Sequence, residues 1–157
     1  PRPPGNHDTI LDKRSMDYQP VAREILARLP SHVEYLQHKG TQYRGLNIFG
    51  SPYTASRVEL FGQRYYSEGF ERTTKERRRL WSEIPQGLDL LITHVPPGTL
   101  ASSGDSTLDD AIAAMPRDSR PKVHCFGHDH HGFGVSLVQY GNKGNAGAAA
   151  AAAAAAA

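Results

Sequence analysis

Short apolar runs that stop at histidine constrain this chain more than any other feature. Leu88 to Thr93 is one such run and stops at His94 and the pair Pro96-Pro97; Lys122 to Phe126 is another and stops at Gly127-His128-Asp129-His130-His131. A run of that length reads as a buried strand, and the Gly- or Pro-marked turn after it puts polar side chains at the end of a sheet. Helical patterns lie between the runs. Val21, Ile25 and Leu29 fall at i, i+4 and i+8 between Pro20 and Pro30, which predicts an amphipathic helix over Val21 to Leu29. Thr73-Thr74-Lys75-Glu76 matches a capping box and opens a helix that carries Leu80, Trp81 and Ile84 toward a core. Ser106-Thr107-Leu108-Asp109 offers a second opening, with Leu108, Ile112 and Met115 as the apolar stripe. Val33 to Leu36 and Leu46 to Phe49 are expected as further strands separated by polar turn material, Lys39-Gly40-Thr41. Phe133, Val135 and Leu137 alternate with smaller residues and predict a final strand. Alternating strands and helices give an α/β or mixed α+β class.

The 157 residues end in an alanine run from Ala148, so the chain reads as one domain over 1–140 and a Gly/Ala-rich low-complexity tail over 141–157. No stretch holds the roughly 20 apolar residues of a membrane-spanning helix, and Pro1-Arg2-Pro3-Pro4 has none of the pattern of a secretory leader. A single cysteine, Cys125, excludes an internal disulfide framework and fits a small buried strand residue. These features predict an intracellular setting. A net charge of +2 does not argue for nucleic acid. The one dense basic cluster, Arg72, Lys75, Arg77, Arg78 and Arg79, is expected on an exposed helix face.

Five of the eight histidines fall in the loops after strand candidates or beside another polar turn: His7, His94, His128, His130 and His131. In an extended segment residues i and i+2 point the same way, so His128 and His130 would face one site, and two imidazoles on one side of a loop suit a metal centre. Asp129 between them would point away and stay solvated. Gly5-Asn6-His7-Asp8 adds an amide oxygen, an imidazole and a carboxylate side by side. His124 reads as a packed strand residue, and His32 and His38 have no partner pattern.

Taken in order, Gly5-Asn6-His7-Asp8, Thr93-His94-Val95-Pro96-Pro97 and Gly127-His128-Asp129-His130 resemble motifs of the calcineurin-like metallophosphoesterase family. Ile48 to Tyr53 and Phe126 to Val135 resemble the branch of small metallophosphoesterase-domain proteins related to class III cyclic nucleotide phosphodiesterases. The resemblance implies a β-sandwich flanked by helices, with metal loops gathered at one end of the strands. This chain would supply roughly the second half, because the family's opening Asp-x-His and Gly-Asp-x-x-Asp motifs do not occur ahead of Gly5.

The resemblance also implies roles. Asn6, His94 and His128 match ligands of one divalent ion and His130 a ligand of a second; manganese, iron, zinc and nickel all suit such donors. His7 matches a catalytic side chain at the leaving oxygen, and Asp8 would orient it. Tyr53 and His131 are expected at the substrate rim. The implied function is hydrolysis of phosphate esters, with phosphodiesters such as cyclic nucleotides ahead of phosphoproteins, by a water activated between two metals. The alternative is a degenerate member that holds one ion or none and serves as a scaffold in a larger protein assembly.

Overall fold

The computed structural model describes residues 3–56, 59 and 68–140; the tail at 141–157 lies outside them. Six strands occur among these residues: β1 (Lys39–Tyr43), β2 (Leu46–Ser51), β3 (Thr54–Ala55), β4 (Glu71–Arg72), β5 (Leu90–Thr93) and β6 (Val123–Phe126). The helices α1 (Ala22–Ala27), α2 (Thr74–Ser82) and α3 (Ser106–Ala114) accompany them. The main sheet runs β1-β2-β5-β6, and β3 pairs with β4 separately. The first pair is antiparallel and the next two are parallel, so the mixed α/β class holds. Parallel neighbours need a crossover, and α2 and α3 lie on those that lead to β5 and β6.

The register decides where chemistry can gather. Ser51 pairs with Thr93, and Thr93 pairs with Phe126, so β2, β5 and β6 end level with one another. The residues that follow, His94 and Gly127-His128 among them, therefore emerge side by side at the carboxyl ends of parallel strands, where open α/β sheets bind ligands.

Both helices behind the sheet are fixed by their caps. Thr73 and Glu76 form the reciprocal box expected of α2. In α3 the cap is Asp105 and not Ser106: its carboxylate accepts from the Thr107 amide at 2.9 Å and from Arg77 Nε and Trp81 Nε1 of α2 at 2.7 and 2.9 Å. An acidic cap with partners on a second helix outcompetes a lone hydroxyl. Trp81, Leu91 and Leu108 are fully buried in the core that these helices close over the sheet.

Several expectations are corrected. Lys39-Gly40-Thr41 is strand, not turn; the hairpin reverses at Arg44-Gly45, both with positive φ, as a two-residue turn matched to strand twist requires. Val33 to Leu36 forms no strand, and Leu36 instead sits under Gly50, where a Cβ would approach it to 2.5 Å. The stripe of α1 is not covered: Val21 and Ile25 are exposed and only Ala22 is buried. The basic cluster splits, with Arg72 and Arg77 buried against Asp12 and Asp105 and Arg78 and Arg79 exposed. At the far edge β6 has one neighbour among the described residues, and Cys125 is exposed. No strand forms over Phe133 to Leu137, whose three apolar side chains face solvent.

Candidate metal centre

Three segments meet where β5 and β6 end. The Gly5–Asp8 turn closes on itself through Asp8 N to Gly5 O at 3.0 Å and Gly5 N to the Asp8 carboxylate at 2.7 Å. That turn lies on the His94 ring: a Cβ at Gly5 would stand 2.7 Å from two ring atoms, so only glycine admits the approach. His94 is held from both sides of its strand, donating its backbone N–H to Ser51 O at 3.0 Å and accepting from Gly127 N at 3.1 Å.

The side chains converge on one atom. Nε2 of His94 lies 2.6 Å from Asn6 Oδ1 and 3.0 Å from His128 Nδ1. In its ring plane that nitrogen carries one proton or one lone pair, so at most one of the two contacts is a linear hydrogen bond. Burial and the neighbouring His128 push His94 down to about 4, and burial lowers His128 as well. Both rings are therefore neutral near pH 7, with lone pairs to give. Two imidazole nitrogens and an amide oxygen facing one another, short of protons to share, are a donor set that a divalent ion satisfies. Asn6, His94 and His128 fit such an ion.

A family model described as calcineurin-like phosphoesterase matches residues 4–132, a window that contains all three. The chain belongs to the calcineurin-like phosphoesterase family. A UPF0046 protein of Caenorhabditis elegans is 34% identical over 133 residues, taking in 83% of this chain and 43% of that protein. Metallophosphoesterase domain-containing protein 1 of Homo sapiens is 28% identical over 152 residues, 83% of this chain and 44% of that one. A probable rhamnogalacturonate lyase C of Emericella nidulans is 32% identical over 143 residues, 85% of this chain and 12% of that protein. The chain thus spans less than half the length of these curated relatives.

Calcineurin-like phosphoesterases generally use divalent metals, and the other predicted side chains sort by distance from the convergence point. His7 and His130 are exposed and lie beside each other, ring centroids 6.4 Å apart. His128 and His130, expected to share one face of an extended segment, do not lie in one. His128 has φ +69°, a left-handed residue that turns the chain, so His128 reaches His94 while His130 reaches toward His7. One oxygen of the Asp8 carboxylate accepts from Gly5 N at 2.7 Å. Asp129 accepts from the His131 amide at 3.1 Å, closing its own turn, and His131 is exposed. Tyr53 stands in the core against His38 and Phe70 and not at a rim.

Two histidines outside the motifs bond to residues that flank the site. The Thr93 hydroxyl donates to Val95 O at 2.6 Å; having spent its proton, it accepts from His124 Nε2 at 2.7 Å. His38 contacts the Ser51 hydroxyl at 3.0 Å and faces Glu83 at 3.4 Å. Nothing in the order of residues signals either contact, because each joins segments far apart in the chain.

Proposed function

We propose that this chain carries part of the centre of a metal-dependent phosphoesterase, with phosphodiesters, cyclic nucleotides among them, as the substrate class. The observation that carries the reading is the convergence of Asn6 Oδ1 and His128 Nδ1 on His94 Nε2. The chemistry a bound divalent ion supplies is charge against the phosphoryl oxygens and a water of lowered pKa. Asn6, His94 and His128 would hold that ion, and His130 would serve a second one. His7, exposed beside His130, would serve the leaving oxygen as the acid–base group. No protein nucleophile is needed.

The test separates binding from proton transfer. In the full protein His128→Ala is expected to lower both metal content, by elemental analysis, and turnover of cyclic and linear phosphodiesters. His7→Ala is expected to lower turnover by about 100-fold or more while metal content holds. Equal metal loss in both variants would sink the division of roles.

A second reading, a binding module without hydrolysis, is favoured by one observation. Among the described residues no group of three His, Cys, Asp or Glu side chains is arranged to hold an ion, so the donor set is two imidazoles and an amide. Near two metal equivalents in the full protein would favour the hydrolase; one or none would favour the module.

A further inference from the structure

We infer that Glu68 is a positioning residue of the metal centre: its carboxylate selects which end of the Asn6 amide faces His94 and His128. The inference rests on the metal-centre reading above and names a residue that none of the motifs contains.

The two ends of an asparagine amide have nearly the same shape and opposite chemistry. With the oxygen inward, Asn6 offers a lone pair to a cation; with the nitrogen inward, it offers two protons and repels one. Asn6 is 4% exposed, so water does not choose between them. Glu68 does. Its Oε2 accepts from Asn6 Nδ2 at 2.5 Å, which leaves Oδ1 facing His94 Nε2 at 2.6 Å. A carboxylate accepts and cannot donate, so only the NH2 end is welcome there, and the bond is charge-assisted.

The placement of Glu68 is itself built. The next residue, Gly69, donates its N–H to Asn6 O at 2.7 Å, so consecutive residues hold the backbone and the side chain of Asn6. A Cβ on Gly69 would come within 3.2 Å of Thr9 Cα and 3.3 Å of Asn6 O, and the segment lies flat on the Asn6 turn for want of it. Phe70 N then donates to the buried Asp12 carboxylate at 2.6 Å, and Arg72 pairs with the same group at 3.0 Å. The residues from Glu68 to Arg72 thus clamp the turn that presents Asn6. Partners that orient ligands in this way change metal affinity by about 10- to 100-fold when removed.

The experiment is a double-mutant cycle in the full protein, read as Mn2+ affinity by calorimetry. Glu68→Ala is expected to weaken Mn2+ binding about 10- to 100-fold, and Glu68→Gln, which keeps an acceptor oxygen, to recover part of that. In an Asn6→Asp background Glu68→Ala is expected to be neutral or to tighten binding, because a carboxylate ligand presents oxygen whichever way it turns and Glu68 repels it. Equal losses in both backgrounds would show general support of the loop and overturn the inference. A second readout needs no metal: in the apo protein Glu68→Ala is expected to shift the Asn6 side-chain amide resonances and speed their exchange. Unmoved resonances would overturn the inference even if Mn2+ binds. Wild-type protein that binds no Mn2+ would overturn the metal reading, and with it any positioning role for a metal centre, whatever the amide resonances show.

Discussion

The turn after β5 and the turn after β6 deliver the same kind of side chain to the same place, yet they are held by different means. His94 is fixed by other segments: its N–H by Ser51 of β2, its carbonyl by Gly127, its ring by Gly5. β5 itself is flanked on both edges, and Leu91 at its centre is fully buried. The stretch from Gly127 to Gly132 is held mainly by itself, through Asp129 N to Gly127 O, His131 N to the Asp129 carboxylate and Gly132 N to Asp129 O. It also contains a histidine at φ +69°, a conformation that costs on the order of 1–3 kcal/mol in a non-glycine residue. His94 is thus a fixed post set by the fold, and His128 is brought to it by local strain. The fold sets one of the two candidate ligands and the turn sets the other.

The largest way to break this contrast is at the post. His94→Ala removes the atom on which Asn6 and His128 converge, and metal affinity is expected to fall more than about 100-fold, beyond the range for an outer partner. Gly5→Ala tests the same post without touching a donor. Its Cβ would enter the ring's space at 2.7 Å, and the displaced imidazole is expected to cost about 1–3 kcal/mol of stability by thermal or urea unfolding as well as affinity. Full affinity in Gly5→Ala would show that the post is softer than its contacts suggest.

A pH titration of stability is expected to show an effect of similar size. Burial pushes His124 down to about 4. In the unfolded chain the same ring takes up its proton near 6.5, so its share of stability is whole above pH 6.5 and is lost as pH falls toward 4. The loss is on the order of 3 kcal/mol at about 1.4 kcal/mol per pH unit. His94, also held near 4, adds a parallel loss. His124→Gln is expected to make the decline between pH 6.5 and 4 shallower; an unchanged slope would remove His124 from the account. Thr93→Val asks about the partner of that ring. It leaves Val95 O and His124 Nε2 without the hydroxyl that joins them, for an expected cost of about 1–3 kcal/mol at neutral pH.

The contrast also explains what could be read from the residues alone. The ligand candidates were legible because Asn6, His94 and His128 sit at the ends of apolar runs or in a glycine turn, and sheet geometry collects such ends. Lys39 to Tyr43 was not legible as strand because an edge strand wetted on both faces has no alternation to show. Phe133 to Leu137 misled in the opposite sense: alternation states a preference for a sheet neighbour, but here the segment runs beside β6, lining a cavity with Val123 to Phe126, without bonding to its edge. Burial of Arg72, Arg77 and Tyr53 was hidden because their partners lie elsewhere in the chain, Asp12 being 60 residues from Arg72 and Asp105 28 residues from Arg77. Glu68 lies 62 residues from the amide it holds and belongs to the same class.

The smallest effect sharpens the contrast from the exposed side. His131 follows a turn closed by its own backbone N–H, and its side chain is exposed. His131→Ala keeps that N–H, so the turn survives, and stability is expected to stay within about 0.5 kcal/mol of the parent. Asp129→Ala removes the carboxylate that both closes the turn and packs 3.1 Å from where a Gly132 side chain would begin. If local closure is what brings His128 to His94, Asp129→Ala is expected to weaken metal binding several-fold while His131→Ala leaves it unchanged. Equal affinities for the two variants would mean that His128 is placed by Gly127 N on His94 O alone, and the second turn would then be as much a product of the fold as the first.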